Sequence, residues 1–305
     1  MDFTTVAEGL RFPEGPVAME DGSVLIVEID RGTLSRVQPD GTVEVVADCG
    51  GGPNGAAVGP DGRIWITNNG GCFRFLDLGG LLIPGDVPDT YTAGSIQAVD
   101  LSTGEVETVY TECDGRALRA PNDLVMDGHG GFWFTDHGLR YERSADRTGV
   151  FYAHCDGSGV LEVLHPLESP NGVGLSPSGD RLYVAETHMG RVWSWEVPQP
   201  GVAVGQGLLP PHGELLAGLP GMQLLDSLAV DGDGNVCVAT IGAGGITVIS
   251  PDGASVELVP LDDPITTNIC FGGDDLRTAY VTASATGRLM RTTWPCAGLA
   301  LAHSA

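Results

Sequence analysis

Short apolar runs, each bounded by tight-turn residues, recur along the whole chain, and nowhere do they lengthen into an amphipathic helix. An Asp-Gly turn or a near relative opens each run: Asp21-Gly22 before Val24-Leu25-Ile26-Val27, Asp61-Gly62 before Ile64-Trp65-Ile66, and Gly130-Gly131 before Phe132-Trp133-Phe134. The unit returns as Gly179-Asp180 before Leu182-Tyr183-Val184, Asp233-Gly234 before Val236-Cys237-Val238, and Asp274-Asp275-Leu276 before Ala279-Tyr280-Val281. A second strand-like segment follows each copy, opened by Gly32, Gly94, Gly149, Gly190, Gly245 and Gly287 in turn. Runs of this length, rich in β-branched and aromatic residues, read as strands. Self-similarity along a chain is the mark of a repeat architecture. Four short strands per unit make a propeller blade, so the pattern predicts an all-β, six-bladed β-propeller, with four antiparallel strands per blade, as a single domain over residues 1–305. The sixth unit ends one strand short, and Phe3-Thr4-Thr5-Val6-Ala7 is expected to complete it. A TIM barrel is set aside because no helical stretch separates the strands.

The polar positions carry a second register. Eight residues before each turn glycine, or before Leu276 in the last copy, stand Glu14, Asn54, Asn122, Asn171, Asp226 and Asn268. This position starts the innermost strand of each blade, so all six side chains are expected to converge on the channel mouth. Asparagine before glycine is an ordinary turn residue, which accounts for Asn54 and Asn171 singly. It does not account for six oxygen-bearing side chains in one register, two of them acids. An all-oxygen set with two carboxylates suits a hard divalent cation. The second strands run back to the same face and bring Glu28, Asn68, Asp136 and Glu186 to the rim, with His137, His188 and Arg140 just beyond. The long connection from Asn69 to Gly94, carrying Phe73, Phe75, Leu81, Leu82 and Tyr91, is expected to wall or cover the mouth.

Composition narrows the partners. The chain has 15 Lys and Arg residues, all of them arginine, against 40 carboxylates, for a formal charge of −25. Such a balance excludes phosphate-backbone binding, and the lack of lysine excludes Schiff-base chemistry. Seven scattered cysteines without a Cys-x-x-Cys pair read as reduced thiols. With no apolar leader or membrane-length stretch in view, a cytoplasmic location is the expectation, as a monomer or small homo-oligomer.

Phe12-Pro13-Glu14-Gly15-Pro16, Ser169-Pro170-Asn171-Gly172 and Thr266-Thr267-Asn268 resemble motifs of the gluconolactonase, senescence marker protein and luciferin-regenerating enzyme family, and the resemblance runs over nearly the whole chain. It implies a six-bladed metal-dependent lactonase. Glu14, Asn171 and Asp226 would match the metal ligands, with Asn122 a ligand or a substrate contact. The ion would be Ca2+ foremost, with Mg2+, Mn2+ or Zn2+ as alternatives. Asp226 would also match the catalytic acid, as general base or nucleophile. Asn54, Asn68, Asp136, His137, Glu186, His188 and Asn268 are the expected substrate contacts. Leu225-Asp226-Ser227 stands where Pro-Asp-Gly is common, and Ala120 where sugar-lactone members place an arginine. The competing readings are a phosphotriesterase or fluorophosphatase on the same metal, and a non-catalytic binding propeller with a structural ion.

Overall fold

The computed structural model describes residues 1–303. Antiparallel strands gather into six blades around a central channel. Blade 1 comprises Pro13–Ala18, Val24–Glu28, Thr33–Val37 and Val43–Asp48, and blade 2 comprises Pro53–Val58, Ile64–Asn68, Ser95–Val99 and Val106–Tyr110. Blade 3 is built from Pro121–Met126, Gly131–Asp136, Thr148–His154 and Val160–Leu167, and blade 4 from Pro170–Leu175, Arg181–Glu186, Arg191–Gln199 and Glu214–Gly218. Blade 5 follows as Leu224–Val230, Val236–Ile241, Gly245–Ile249 and Val256–Pro260. Blade 6 takes Thr266–Gly272, Thr278–Ala283 and Arg288–Thr293 from the C-terminal end, and Thr4–Glu8 supplies its outer strand, as the short sixth unit required. Thr4 lies opposite Arg291 and Glu8 opposite Arg288, so the first and last parts of the chain close the ring together.

The apolar faces explain the closure. Each pair of neighbouring blades shares one buried cluster, six in all: Leu25 and Val27 with Ile64 and Ile66, Trp65 and Ile96 with Phe132 and Phe134, Trp133 and Tyr152 with Val173 and Trp195. Tyr183 and Ala185 then meet Leu228 and Val236, Cys237 and Ala239 meet Ile269 and Val281, and Ala7 with Leu289 meets Val24 and Ile26. Burying a Val, Leu, Ile or Phe fully contributes about 1.5–3 kcal/mol. A one-residue slip of a strand would turn that face to solvent.

Blade 4 departs from the four-strand pattern, because its nine-residue third strand outruns Glu214–Gly218 and pairs at its far end with Val202–Val204. The connection after Asn69 folds as the hairpin Phe75–Asp77 with Leu82–Pro84. Its apolar side packs on Phe12 and Ile29 of blade 1 and on Ile265 and Ala285 of blade 6, and the Leu82 amide donates to the Ala285 carbonyl at 2.8 Å. Cys72 and Tyr91 hold its other end on Ala120 and Leu139 at blade 3. The strap thus reaches over one side of the mouth. At the opposite end, residues 297–302 cross beneath the channel. The Gly298 amide donates to Leu276 at 2.7 Å and the Leu299 amide to Val230 at 3.2 Å, while Ala302 packs on the cluster shared by blades 2 and 3. Leu299 and Leu301 line the floor of an apolar cavity of about 80 Å³ whose walls include Leu124, Val173, Leu228 and Phe271.

Candidate active site

The six inner strands begin with the same irregularity. Pairing with the second strand gains one residue between Glu14 and Val17, Pro53 and Ala56, Pro121 and Leu124, Pro170 and Val173, Leu225 and Leu228, and Thr266 and Asn268. A bulge breaks the in-and-out alternation of a strand and re-aims a side chain. Each ring residue sits within its bulge or at the edge of it. Close backbone approach between blades makes this geometry dependent on glycine. A Cβ at Gly15, whose φ is +48°, would lie 2.7 Å from the Asn54 carbonyl, and one at Gly172 would lie 2.7 Å from the Asp226 carbonyl. Hydroxyls stitch the collar from blade to blade: Thr135 Oγ1 donates to the Asn171 carbonyl at 2.6 Å, Thr67 Oγ1 to the Asn122 carbonyl, and Ser284 Oγ to the Pro13 carbonyl at 2.6 Å.

All six ring side chains are buried. Glu14 Oε2 accepts from the Gly15 amide at 2.6 Å and from Asn268 Nδ2 at 2.7 Å. Asn171 Nδ2 donates to Thr187 Oγ1 at 3.1 Å, and its Oδ1 accepts from Ser227 Oγ at 3.4 Å. Asn122 Oδ1 is buried without a hydrogen-bond partner among the described residues. A carboxyl that the sequence register missed lies beside the ring. Asp123 follows Asn122, is 6% exposed, and accepts from the Leu124 amide at 2.9 Å and the Val173 amide at 3.2 Å. The only sequence signal was the exception itself, an acid where blades 1, 2 and 4 place glycine.

Electrostatics mark these three carboxyls, and burial raises Asp136 likewise. Burial raises Asp226 to about 7, with the charge of Asp123 adding to the rise while the Asn171 side chain and the Ser227 amide resist it. Burial, then the neighbouring Asp226 charge, also raises Glu14 well above the usual carboxylate range. Burial lifts Asp123 to about 7 against three backbone amides that favour its charged form. Three acids that resist ionising around one channel, with an unpartnered amide oxygen beside them, are a site short of positive charge. Among the described residues no three His, Cys, Asp or Glu side chains meet in metal-binding geometry. The donor set at the mouth is instead carboxylate mixed with carboxamide: Glu14, Asn122, Asn171 and Asp226. Those oxygens fit a hard cation.

The other expected contacts divide. Asn54 is buried. Asn268 is engaged in holding Glu14, and its own Oδ1 accepts from the Ile269 amide at 2.7 Å. Asn68, Asp136 and Glu186 end second strands, as does Glu28, and each accepts from the chain that enters the inner strand. Asn68 Oδ1 accepts from Gly52 and Gly70, Asp136 from Arg119, Ala120 and Gly138, Glu186 from Glu168, Arg191 and Trp193, and Glu28 from Arg11, Arg31 and Ser35. These side chains are clamps within their own blades. His137 and His188 lie edge-to-face with ring centroids 5.8 Å apart, and Nδ1 of His137 is 3.1 Å from the Gly138 carbonyl. Burial, reinforced by Arg140, holds His137 below the usual imidazole range, and burial, with the charges of His137 and Arg140, lowers His188 to about 4.

Comparison with known proteins places the architecture. Residues 12–285 match the family described as the SMP-30/Gluconolactonase/LRE-like region. A gluconolactonase of Zymomonas mobilis is 27% identical over 92% of this chain and 78% of its own length. The lactonase drp35 of Staphylococcus saprophyticus is 28% identical over 82% of this chain and 69% of its own. In fold, the chain superposes on a gluconolactonase from Xanthomonas campestris with a TM-score of 0.75 at 21% identity, covering 96% of this chain and 89% of the other.

Proposed function

This chain belongs to the SMP-30/gluconolactonase/LRE-like family, and from that premise we propose that it hydrolyses a small lactone at the mouth ring, with one divalent cation held by Glu14, Asn122, Asn171 and Asp226. The observation that carries this reading is the pairing of raised carboxyls with the unpartnered Asn122 oxygen. A cation bound among these oxygens would polarise the ester carbonyl as a Lewis acid. Ca2+ suits the neutral carbonyl-rich donor set best. The lactonase and gluconolactonase relatives support the reaction class.

The chain's own residues supply the rest. Asp226 would meet the ion as a carboxylate and is the group placed to serve as general base. Its carboxylate takes a proton from water, or attacks the carbonyl carbon directly. Asn171 and the Ser227 amide hold that carboxylate in place, and Asn268 holds Glu14. The strap, with Phe73 and Tyr91 packed on Cys72, Ala120 and Leu139, would wall one side of the approach, and Asn54, His137 and His188 would stand on the others. Ala120 stands two residues before Asn122, so the position at which sugar-lactone members carry an arginine offers no cation to a polyhydroxylated substrate.

The test is a substrate panel with the purified chain. We expect turnover of γ- or δ-lactones to exceed that of aryl phosphotriesters. Phosphotriester hydrolysis in the absence of lactone turnover would transfer the same site to the competing chemistry, and hydrolysis of neither would leave a binding propeller.

A further inference from the structure

The bulges that aim Asn171 and Asp226 have a cost within the sheet: each takes a backbone N–H out of the regular ladder. In blades 4 and 5 the register resumes at Val173 and Leu228. Both amides turn to one acceptor in a third blade. Asp123 Oδ2 accepts from Val173 at 3.2 Å, and the Leu228 amide lies near enough to favour the charged form of the same carboxyl. Asp123 Oδ1 accepts from Leu124, in the bulge of its own strand, at 2.9 Å. One side chain therefore meets the bulges of three blades, those that carry Asn122, Asn171 and Asp226.

Position and packing single this residue out. Blades 1, 2 and 4 have Gly15, Gly55 and Gly172 at the equivalent place, and a Cβ at Gly55 would lie 2.8 Å from the Asn122 carbonyl. Only blade 3 carries a carboxylate there. The cavity below the ring is lined by Asp123 and Asn268 together with apolar side chains that include Leu124, Val173 and Leu228, and Asn268 is engaged with Glu14 and the Ile269 amide.

We propose that Asp123 is a positioning residue: its carboxylate ties the bulges of blades 4 and 5 to blade 3, and so fixes where Asn171 and Asp226 aim. The proposal rests on the reading of the ring as the cation-holding hydrolytic site. It predicts that the register of the two bulges, and not the chemistry of the ring side chains alone, sets cation affinity.

Asp123→Gly, which installs the residue that three other blades carry, and Asp123→Asn, which keeps the shape and one acceptor oxygen, test it. Amide hydrogen exchange should quicken at Val173 and Leu228 in Asp123→Gly while Ala56, which closes the blade 2 bulge, stays as in wild type. Outer partners of metal ligands typically account for about 10- to 100-fold in metal affinity or activity, and calorimetric titration with Ca2+ should show a loss of that order. On the best lactone, kcat should fall with KM little changed, and Asp123→Asn should lie between wild type and Asp123→Gly on every readout. If Asp123→Gly does not fold, the same readouts on Asp123→Asn decide the question. Faster exchange at both amides with Ca2+ affinity and kcat unchanged would overturn the proposal, as would exchange that does not change. A wild-type protein that binds no Ca2+ and opens no lactone would instead refute the site reading, a failure visible before any variant is made.

Discussion

Asp226 combines two duties in one carboxylate, and substitutions can separate them. Asp226→Asn keeps an oxygen for a cation but removes the base, and general-base loss is typically worth about 10²–10⁴ in rate. Cation content should largely survive while turnover falls by that factor, as measured on one preparation by elemental analysis and lactone hydrolysis. Asn171→Ala should do the reverse: it weakens cation binding, and activity partly returns at high Ca2+. An Asp226→Asn protein with near-wild-type turnover would move the base elsewhere. The raised carboxyls also make a pH prediction for the cation-free protein. A folded-state acid whose pKa lies above its unfolded value binds its proton more tightly when folded. Its contribution to stability is full below the unfolded pKa, near 4 for these groups, and is lost as pH rises through the folded value, about 7 for Asp226. In chelator, the unfolding temperature should therefore fall between pH 5 and pH 8. Ca2+ should raise it more at pH 8 than at pH 5, because the bound cation replaces the protons. Equal cation shifts at both pH values would contradict the assignment of Glu14 and Asp226 to the ion.

At the scale of the strand, counting back from the turn glycines names one buried residue at the start of every inner strand, because blade geometry repeats the same distance from bottom turn to strand start in every copy. The bulges that turn the six side chains inward were not legible. A bulge inserts a residue without altering the hydrophobic pattern on either side of it. Nor did residue type separate ring from clamp. Asn68, Asp136 and Glu186 share chemistry and height with the ring, and only their backbone partners show them to be engaged. Asp123 was hidden for a related reason, since the register names one position per blade and the next position is glycine in three blades. The clamps carry their own prediction. Glu186→Ala leaves the half-buried Glu168 amide and Trp193 indole without their acceptor, a loss at the lower end of the about 1–3 kcal/mol that an unsatisfied buried donor costs. The urea midpoint should fall accordingly while KM for lactone stays unchanged. A raised KM at constant stability would return Glu186 to the substrate.

Across the whole molecule, the two ends of the channel are unlike. The strap and the histidine pair shape the mouth, whereas residues 297–302 close the floor with apolar side chains. That floor closes the cavity that Asp123 lines. The length of the connection after Asn69 marked the strap in advance, but the tail, a run of Ala, Gly and Leu, has no polar or periodic signature. Ending the chain after Cys296 removes the half-buried Leu299 and the packing of Ala302, which should lower stability by about 1–2 kcal/mol and admit water from below, read by urea unfolding and dye binding. An unchanged midpoint would mean that the floor is not part of the fold's support. The central claim is that the mouth ring is a cation-dependent lactone hydrolase, and one measurement tests it most directly. The purified chain is stripped with chelator, its cation content verified, and lactone hydrolysis followed as Ca2+, Mg2+ or Mn2+ is returned. The account predicts no turnover in the stripped protein and saturable recovery with the returned ion. Full hydrolysis by a verified cation-free preparation would contradict it.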